Sequence, residues 1–491
     1  MKELKFFLVA AALAVFLPAC TDFIERPTPQ QSLPSSAAFN TASDLETALI
    51  GAYQAMQQSD FGATGLALNA NILSDNGFWQ GSFPSYVDMF NRALTPDNGE
   101  VTGLWRFGYL AINHANLVLR ALDTSEDPTL TPEVRDRLRG EALFIRGLSY
   151  FELTRFYGLP YGSSSSSDPG VPILTTATQE SGDNTFPTRN TVQEGYDQAI
   201  NYLTEAANLL EPTGNPGRAN ATAATAYLAE IAFQQRDYAK AASLAEDVIN
   251  AGYMLTASPS DPFLTEGSSE EIFAIISTVQ DNPGVNGSLA TFHHVNGRGG
   301  DVIFSSDLYQ NGFLAVIPES DQDAATAQGD SIIDLRHDAF ISFNENGDVN
   351  IEKYEDFANN ADDLILVRLA TFYLMRAEAL ARTDGLNQES VDLLNTIRAR
   401  SLRLLNDMDE VVEAGDLATY ELSDFADADE LIEAIILERR VELAFEPNRV
   451  HDLKRLMRDI RDLPFDSPML VFPIPQRDLD ANTMLVQNPG Y

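Results

Sequence analysis

The stretch PEVRDRLRGEALFIRGLSYFELTRFYGLP, Pro132 to Pro160, reads as one long helix with its own start and stop signals. Thr131 offers a side-chain oxygen for an N-cap, Pro132 suits the first helical position, and Gly158 suits the end. The run between them is about seven turns long. Upstream, Thr102 to Ala121 places Trp105, Tyr109, Ile112, Asn116 and Leu119 on one stripe, with Trp105 read as core. From Ser43 the same spacing recurs through Leu45, Leu49, Ala52 and Met56. Downstream, serines, prolines and glycines make Leu159 to Ile173 a loop, and residues 191–211 form another helix.

A helix pair follows, Asn220 to Gln234 and Asp237 to Ala251, with Ala229, Ala232, Ala241 and Ala245 at close-packing positions. This pattern is similar to the tetratricopeptide repeat, and a degenerate second pair covers Leu364 to Arg403. Two pairs fall short of the ~3 repeats a free-standing solenoid needs, so they are expected to lean on the rest of the chain. Residues 58–100 and the acidic stretch 404–427 read as loops. Residues 252–360 read as a loop-rich middle with short strands such as Ile272 to Ile276. Helices are expected again from Asp429 to Phe445 and from Val450 to Leu463. The fold class is therefore mainly α: a single large domain with tetratricopeptide-repeat-like helix pairs and a few short strands in a loop-rich middle.

The N-terminus has Lys2 and Lys5, an apolar run from Phe6 to Leu17, and then Pro18-Ala19-Cys20. The run is well short of the ~20 residues needed to span a bilayer and reads as a secretory signal. Cys20 is the only cysteine, with no disulfide partner in the chain. Its place at the end of the run resembles the lipobox of bacterial lipoproteins, where the cysteine is acylated. The expected organisation is a signal peptide over 1–19, a Pro-containing tether over 20–41, a helical half over 42–251, and a second half over 252–491 carrying the insert 252–360.

The formal net charge is −40, and the only lysines are Lys2, Lys5, Lys240, Lys353 and Lys454. Nucleic acid is excluded as a partner, because it needs a basic surface. An acidic, lysine-poor chain reads as adapted to high salt, where carboxylate repulsion is screened. No Gly-x-Ser-x-Gly turn, phosphate loop or dinucleotide fingerprint is present. His293 and His294 are adjacent, so their side chains diverge in an extended segment, and no metal or cofactor is expected.

Four segments, in order behind the lipobox, resemble the SusD/RagB family of outer-membrane nutrient-uptake lipoproteins. They are LWRFGYLAINHANLVL from Leu104, GEALFIRGLSYFELTRFYGLP from Gly140, LERRVELAFEPNRVHDLKRL from Leu437 and the terminal PIPQRDLDANTMLVQNPGY. Phe144, Ile145, Gly147, Val450 and His451 depart from the family pattern. The resemblance implies a non-enzymatic protein that sits on the outer membrane and faces outward. It would bind an oligosaccharide and hand it to a TonB-dependent, SusC-like channel. A peptide ligand is the alternative within this architecture; a surface glycan hydrolase and a repeat scaffold are alternatives of other classes. The motif residues themselves read as structural. Glu141 and Arg146 are too far apart on their helix to pair and are each expected to bond a buried loop. Glu438 and Glu442, four apart on one helix, repel unless an arginine sits between them. Arg439 or Arg440 forking onto a carboxylate would pin that helix to the C-terminal segment.

Ligand-binding residues are sought among loop aromatics, because rings stack on the apolar C–H faces of sugars while polar groups bond the hydroxyls. SDNGFWQGSFPSYVDMF supplies Phe78, Trp79 and Tyr86 as platforms, with Asp75 and Asn76 beside them. Phe292, Arg298 and Tyr309 form a second expected patch. Cys20→Ser should release the protein from membranes; a mutant that still fractionates with the outer membrane like the wild type would remove the lipid anchor.

Overall fold

The computed structural model describes residues 39–163, 167–179, 181–183, 185–408 and 410–491. Cys20, the signal segment and most of the tether lie outside these residues. The first half is built on α1 (Ala42–Gln57), α2 (Gly65–Leu73), α3 (Gly99–Thr124), α4 (Pro132–Tyr157), α5 (Val192–Leu209), α6 (Ala221–Gln234) and α7 (Tyr238–Ile249), with a short helix over Pro84–Phe90. The second half holds α8 (Leu369–Asp384), α9 (Gln388–Ser401), α10 (Ala428–Glu442) and α11 (Arg449–Arg455), with α12 (Gln476–Ala481) near the end. Among the described residues no helix is long and apolar enough to cross a membrane.

The helix starts follow the caps in the sequence. Thr41 with Asp44 and Thr191 with Glu194 close capping boxes on α1 and α5, and Thr131 Oγ1 accepts from Val134 N at α4. Neighbours then pack in a row: α1 on α3, α3 on α4, α4 on α5, α5 on α6 and α6 on α7. Gly147 belongs to the α4–α5 contact, because a Cβ there would stand 2.6 Å from Leu203 Cγ. The row does not stop at residue 251. α7 packs directly on α8, and α8 on α9 and α10, so the insert is looped out between two neighbouring helices. The two repeat-like pairs thus sit in one continuous stack; the main apolar core runs from Leu45 to Ile474, and a second cluster fills the space between α8, α9 and α10.

Four expected loops or helices are corrected. Residues 58–100 contain α2, every residue of which is buried; a nine-residue helix with no exposed face shows no amphipathic period. Leu364–Arg368 is a strand, β7, rather than the start of a helix, and it pairs antiparallel with β2 (Glu271–Ile275). Residues 404–427 include a hairpin in which β8 (Leu402–Leu405) pairs with β9 (Val411–Glu413) and with β4 (Ser331–Asp334). The helix expected from Val450 to Leu463 ends at Arg455, and Met457 and Arg461 beyond it have positive φ.

A buried ion network ties the insert to the helix row. Arg336 Nη1 donates to Glu438 at 2.6 Å and to Glu442 at 3.1 Å, so an arginine does sit between the two glutamates. It comes from a segment about a hundred residues earlier, and its other side forks onto Asp334. Arg368 joins Glu442, Glu446 and Glu270 at 2.7–2.9 Å. Arg398 pairs with Glu438, Arg400 with Glu270 and Glu442, and Lys353 with Glu446. Burial alone would raise Glu446, but Arg368 and Lys353 outweigh it and hold the carboxyl below its ordinary range. Arg439 makes no fork; it binds Asp452 through Nε alone, at 2.9 Å, and this single bond pins α10 to α11. Arg146 meets Tyr202, both as donor to its hydroxyl and stacked on its ring at 3.9 Å, rather than a loop. Glu141 gathers Arg137, Arg218 and Tyr53.

Arg336→Met should strand Asp334, Glu438 and Glu442 in the interior with one cation fewer. Breaking one partner out of a buried pair costs about 3–5 kcal/mol, so the urea midpoint should fall accordingly. An unchanged midpoint would show that the network does not hold the insert.

Candidate functional site

The two expected aromatic patches are brought together by backbone pairing. β1 (Gly77–Trp79) runs antiparallel to β3 (Val302–Phe304), with Trp79 opposite Val302. Trp79 lies 4.8 Å from the Tyr86 ring and 6.2 Å from that of Phe292, and Phe83 lies 6.0 Å from Phe292. The Arg298 guanidinium covers Phe83 at 4.1 Å and is ion-paired to Asp301 at 3.0 Å. Trp79, Tyr86, Phe292 and Arg298 are therefore one cluster.

That cluster is mostly interior. Trp79 is 5% exposed and Phe292 1%, so neither ring presents a face to a ligand. The expectation of Trp79 and Tyr86 as exposed platforms is corrected, and strand alternation gives the reason. On β1 Gly77 is buried and the Trp79 ring turns inward, while Phe78 between them turns out, 46% exposed. Phe78 thus faces away from Trp79, edge-on to Phe90 at 5.0 Å. Only Phe83 and Arg298 border solvent on the Trp79 side, both half-buried. Trp105 is buried as expected, tilted against Tyr109 at 4.8 Å.

Asp75 and Asn76 serve as a lock rather than as ligand groups. Arg449 grips Asp75 through two 2.7 Å bonds, and Arg440 donates to Asn76 Oδ1 at 3.0 Å and to Asp307 at 2.7 Å. Burial pushes the Asp75 carboxyl up, and Arg449 and Arg440 more than reverse it, leaving it below its ordinary range. The loop that carries the aromatics is thereby clamped to α10 and α11.

Tyr309 stands apart from the cluster. Its ring is 6.0 Å from His337 and 5.9 Å from Phe343, which is 54% exposed. His337 also lines a cleft of about 660 Å³, together with Phe313, Leu314, Ile317, Ile332, Gln322 and Asp338. A cleft lined by apolar and a few polar groups, with two aromatic rings beside it, suits a sugar ring. Phe343 and His337 were not singled out in the sequence. Phe343 ends β5 (Ile341–Phe343), which pairs with β6 (Val349–Ile351) across Asn344 to Asp348. The Asn-Gly in that turn, flanked by alternating apolar residues, was a readable hairpin signal.

His293 and His294 diverge as expected. His293 is buried, stacks on Tyr354 at 5.5 Å, and is pushed down to about 3 by burial, so it stays neutral. His294 faces Glu352 and stacks on Phe357 at 4.7 Å. No group of three or more His, Cys, Asp or Glu side chains among the described residues is placed to hold a metal.

The stacked helices, the looped-out insert and the aromatic loops define a repeat-built binding architecture, and comparison with known proteins gives its family. Residues 22–233 match the family model described as starch-binding associating with outer membrane, and residues 344–462 match that of the SusD family. The chain belongs to the SusD/RagB family. It is 27% identical to SusD-like protein P2 of Formosa agariphila, over 99% of this chain and all of that one. SusD-like protein P38 of the same organism is 25% identical over 99% of this chain and 98% of its own length. Among solved structures, a candidate sugar-binding protein of Bacteroides vulgatus superposes with TM-score 0.75 at 27% identity, covering 92% of this chain and 99% of that one. A SusD superfamily protein of Bacteroides thetaiotaomicron shares the fold with TM-score 0.76 at 22% identity, covering 91% and 100%.

Trp79→Ala should empty a packed aromatic site and cost about 3–5 kcal/mol in chemical denaturation. Phe78→Ala, one residue away on the outer face, should change stability by about 0.5 kcal/mol or less. Equal costs would contradict the inward and outward assignment of these two rings.

Proposed function

We propose that the protein is a surface lipoprotein that captures an oligosaccharide and passes it to a TonB-dependent outer-membrane channel. The observation that carries this reading is membership of a family whose model over residues 22–233 is described as starch-binding and outer-membrane-associated. The candidate sugar-binding protein of Bacteroides vulgatus, alike over nearly its whole length, supports the ligand class. Cys20, acylated after removal of residues 1–19, would hold the body to the membrane through the tether. The sugar would lie on Tyr309 and Phe343, with His337, Gln322 and Asp338 bonding its hydroxyls beside the cleft. Rings at a lip can stack without moving, because the hairpin and the clamp at Arg440 and Asp307 hold them.

Affinity electrophoresis in gels cast with soluble starch, and with a panel of neutral and acidic polysaccharides, tests this. At least one should retard the wild type. Tyr309→Ala with Phe343→Ala should weaken that retardation about tenfold or more, since each stacking aromatic carries on the order of 1–2 kcal/mol. The melting temperature should barely move. Unchanged retardation would transfer the platform to the Phe83–Arg298 edge, and new reducing ends in the gel would make the protein a hydrolase.

A further inference from the structure

Most buried cations described above are matched with a carboxylate and Arg146 with Tyr202, whereas Lys454 has neither. It lies on α11 and is 4% exposed. Its Nζ is enclosed and meets no hydrogen-bond partner among the described residues. The charged groups that act on it are Arg92, from the turn after Pro84–Phe90, and Arg155, from the last turn of α4. Both are cations. Glu152, one turn before Arg155 on α4, is gripped by Arg155 through two bonds of 2.6 and 2.7 Å, and Asp452 is divided between Arg439 and Arg455. Asp462 acts on Arg92 and not on Lys454.

The contrast with Lys353 is direct. Lys353 is equally buried, and its Nζ donates to Glu446 at 2.6 Å and to the Ala444 carbonyl at 2.9 Å. Among the described residues no carboxylate pairs with Lys454. Further donors without partners lie among its neighbours. His451, one turn earlier on α11, is 1% exposed and its Nε2 is unsatisfied; the ring is fixed edge-on to Phe156 at 5.0 Å. Arg92 has φ +61°, a strained value for arginine; it gives one guanidinium nitrogen to Leu73 O at 2.7 Å and leaves Nη1 enclosed without an acceptor. A buried ammonium is stable only when paired or neutral, and unmet buried donors call for an acceptor.

We infer that Lys454, with His451 Nε2 and Arg92 Nη1, forms a buried site for a small inorganic anion of the halide class. The size limit follows from the surroundings. Lys454 and His451 are 4% and 1% exposed, an enclosure that suits a small ion rather than a carboxylate-bearing metabolite or a sugar acid. An anion there would keep the ammonium protonated against burial and the two arginines, which otherwise push the amine down to about 7. It would also make part of the salt dependence of this acidic protein specific to an ion rather than general screening.

Crystals grown with sodium bromide should give an anomalous peak at hydrogen-bonding distance from Lys454 Nζ. In solution, the melting temperature should rise further in sodium chloride than in sodium gluconate at equal ionic strength, because gluconate screens but is too large for the site. Lys454→Met should lose that chloride-specific increment and keep the part common to both salts. Bromide found only at the surface, or equal increments in the two salts for the wild type, would overturn the site. A Lys454→Met protein that keeps the chloride increment would also overturn it. The wild-type crystal decides the matter if Lys454→Met does not fold.

Discussion

Arg336 reaching Glu438 and Glu442 together is the contact on which the arrangement of this molecule turns. Without it, α10 would carry two buried carboxylates one turn apart, with no charge between them. Arg368, Arg398, Arg400 and Lys353 extend the same logic across β7, α9 and the insert, each cation meeting an acid from a different part of the chain. Such a network gives little net stability over an apolar core, because removing ten or so charged groups from water costs nearly what their attraction returns. What it supplies is register. A leucine can slide along an apolar face, whereas Arg336 satisfies its donors in one position only.

Register matters here because the insert is long and interrupts a helix row that continues behind it. α7 packs on α8 as if residues 252–360 were absent, so the row itself does not dictate where the insert lies. The ion network and the clamp of Arg440 and Arg449 on Asp75, Asn76 and Asp307 do. They set β3 against β1 and place Tyr309 beside the His337 cleft. The proposed sugar platform is thus positioned by charges buried behind it, while its own rings remain at the surface.

The helix row was legible because caps, small residues and apolar stripes are local signals. Thr131, Pro132 and Gly158 bounded α4 correctly, and the repulsion between Glu438 and Glu442 foretold an arginine. Its identity was not legible, since spacing on one helix says nothing of a partner about a hundred residues away. α2 escaped because it is buried all round. The site was read less well than the frame. Two patches were expected in the 75–86 and 292–309 regions; pairing joins Trp79, Tyr86 and Phe292 in the interior and leaves Tyr309 apart. But a three-residue strand is too short for its alternation to be read, so Phe78 and Trp79 were placed on one surface when they occupy opposite ones.

The same partition explains why the composition looks extreme while the interior does not. Inside, acids and bases meet nearly one to one, and the bases are mostly arginines, whose planar forks can satisfy two or three carboxylates at once. A lysine offers a single point charge and is a poor substitute in such a network. Lys353 works because one glutamate and one carbonyl face it directly. The excess of 40 negative charges must therefore lie at or near the surface, beyond the network. There it acts on solubility and on ionic-strength dependence rather than on fold. Fold and surface charge can then change separately, so acidity could accumulate outside while the arginine–glutamate frame stayed as it is.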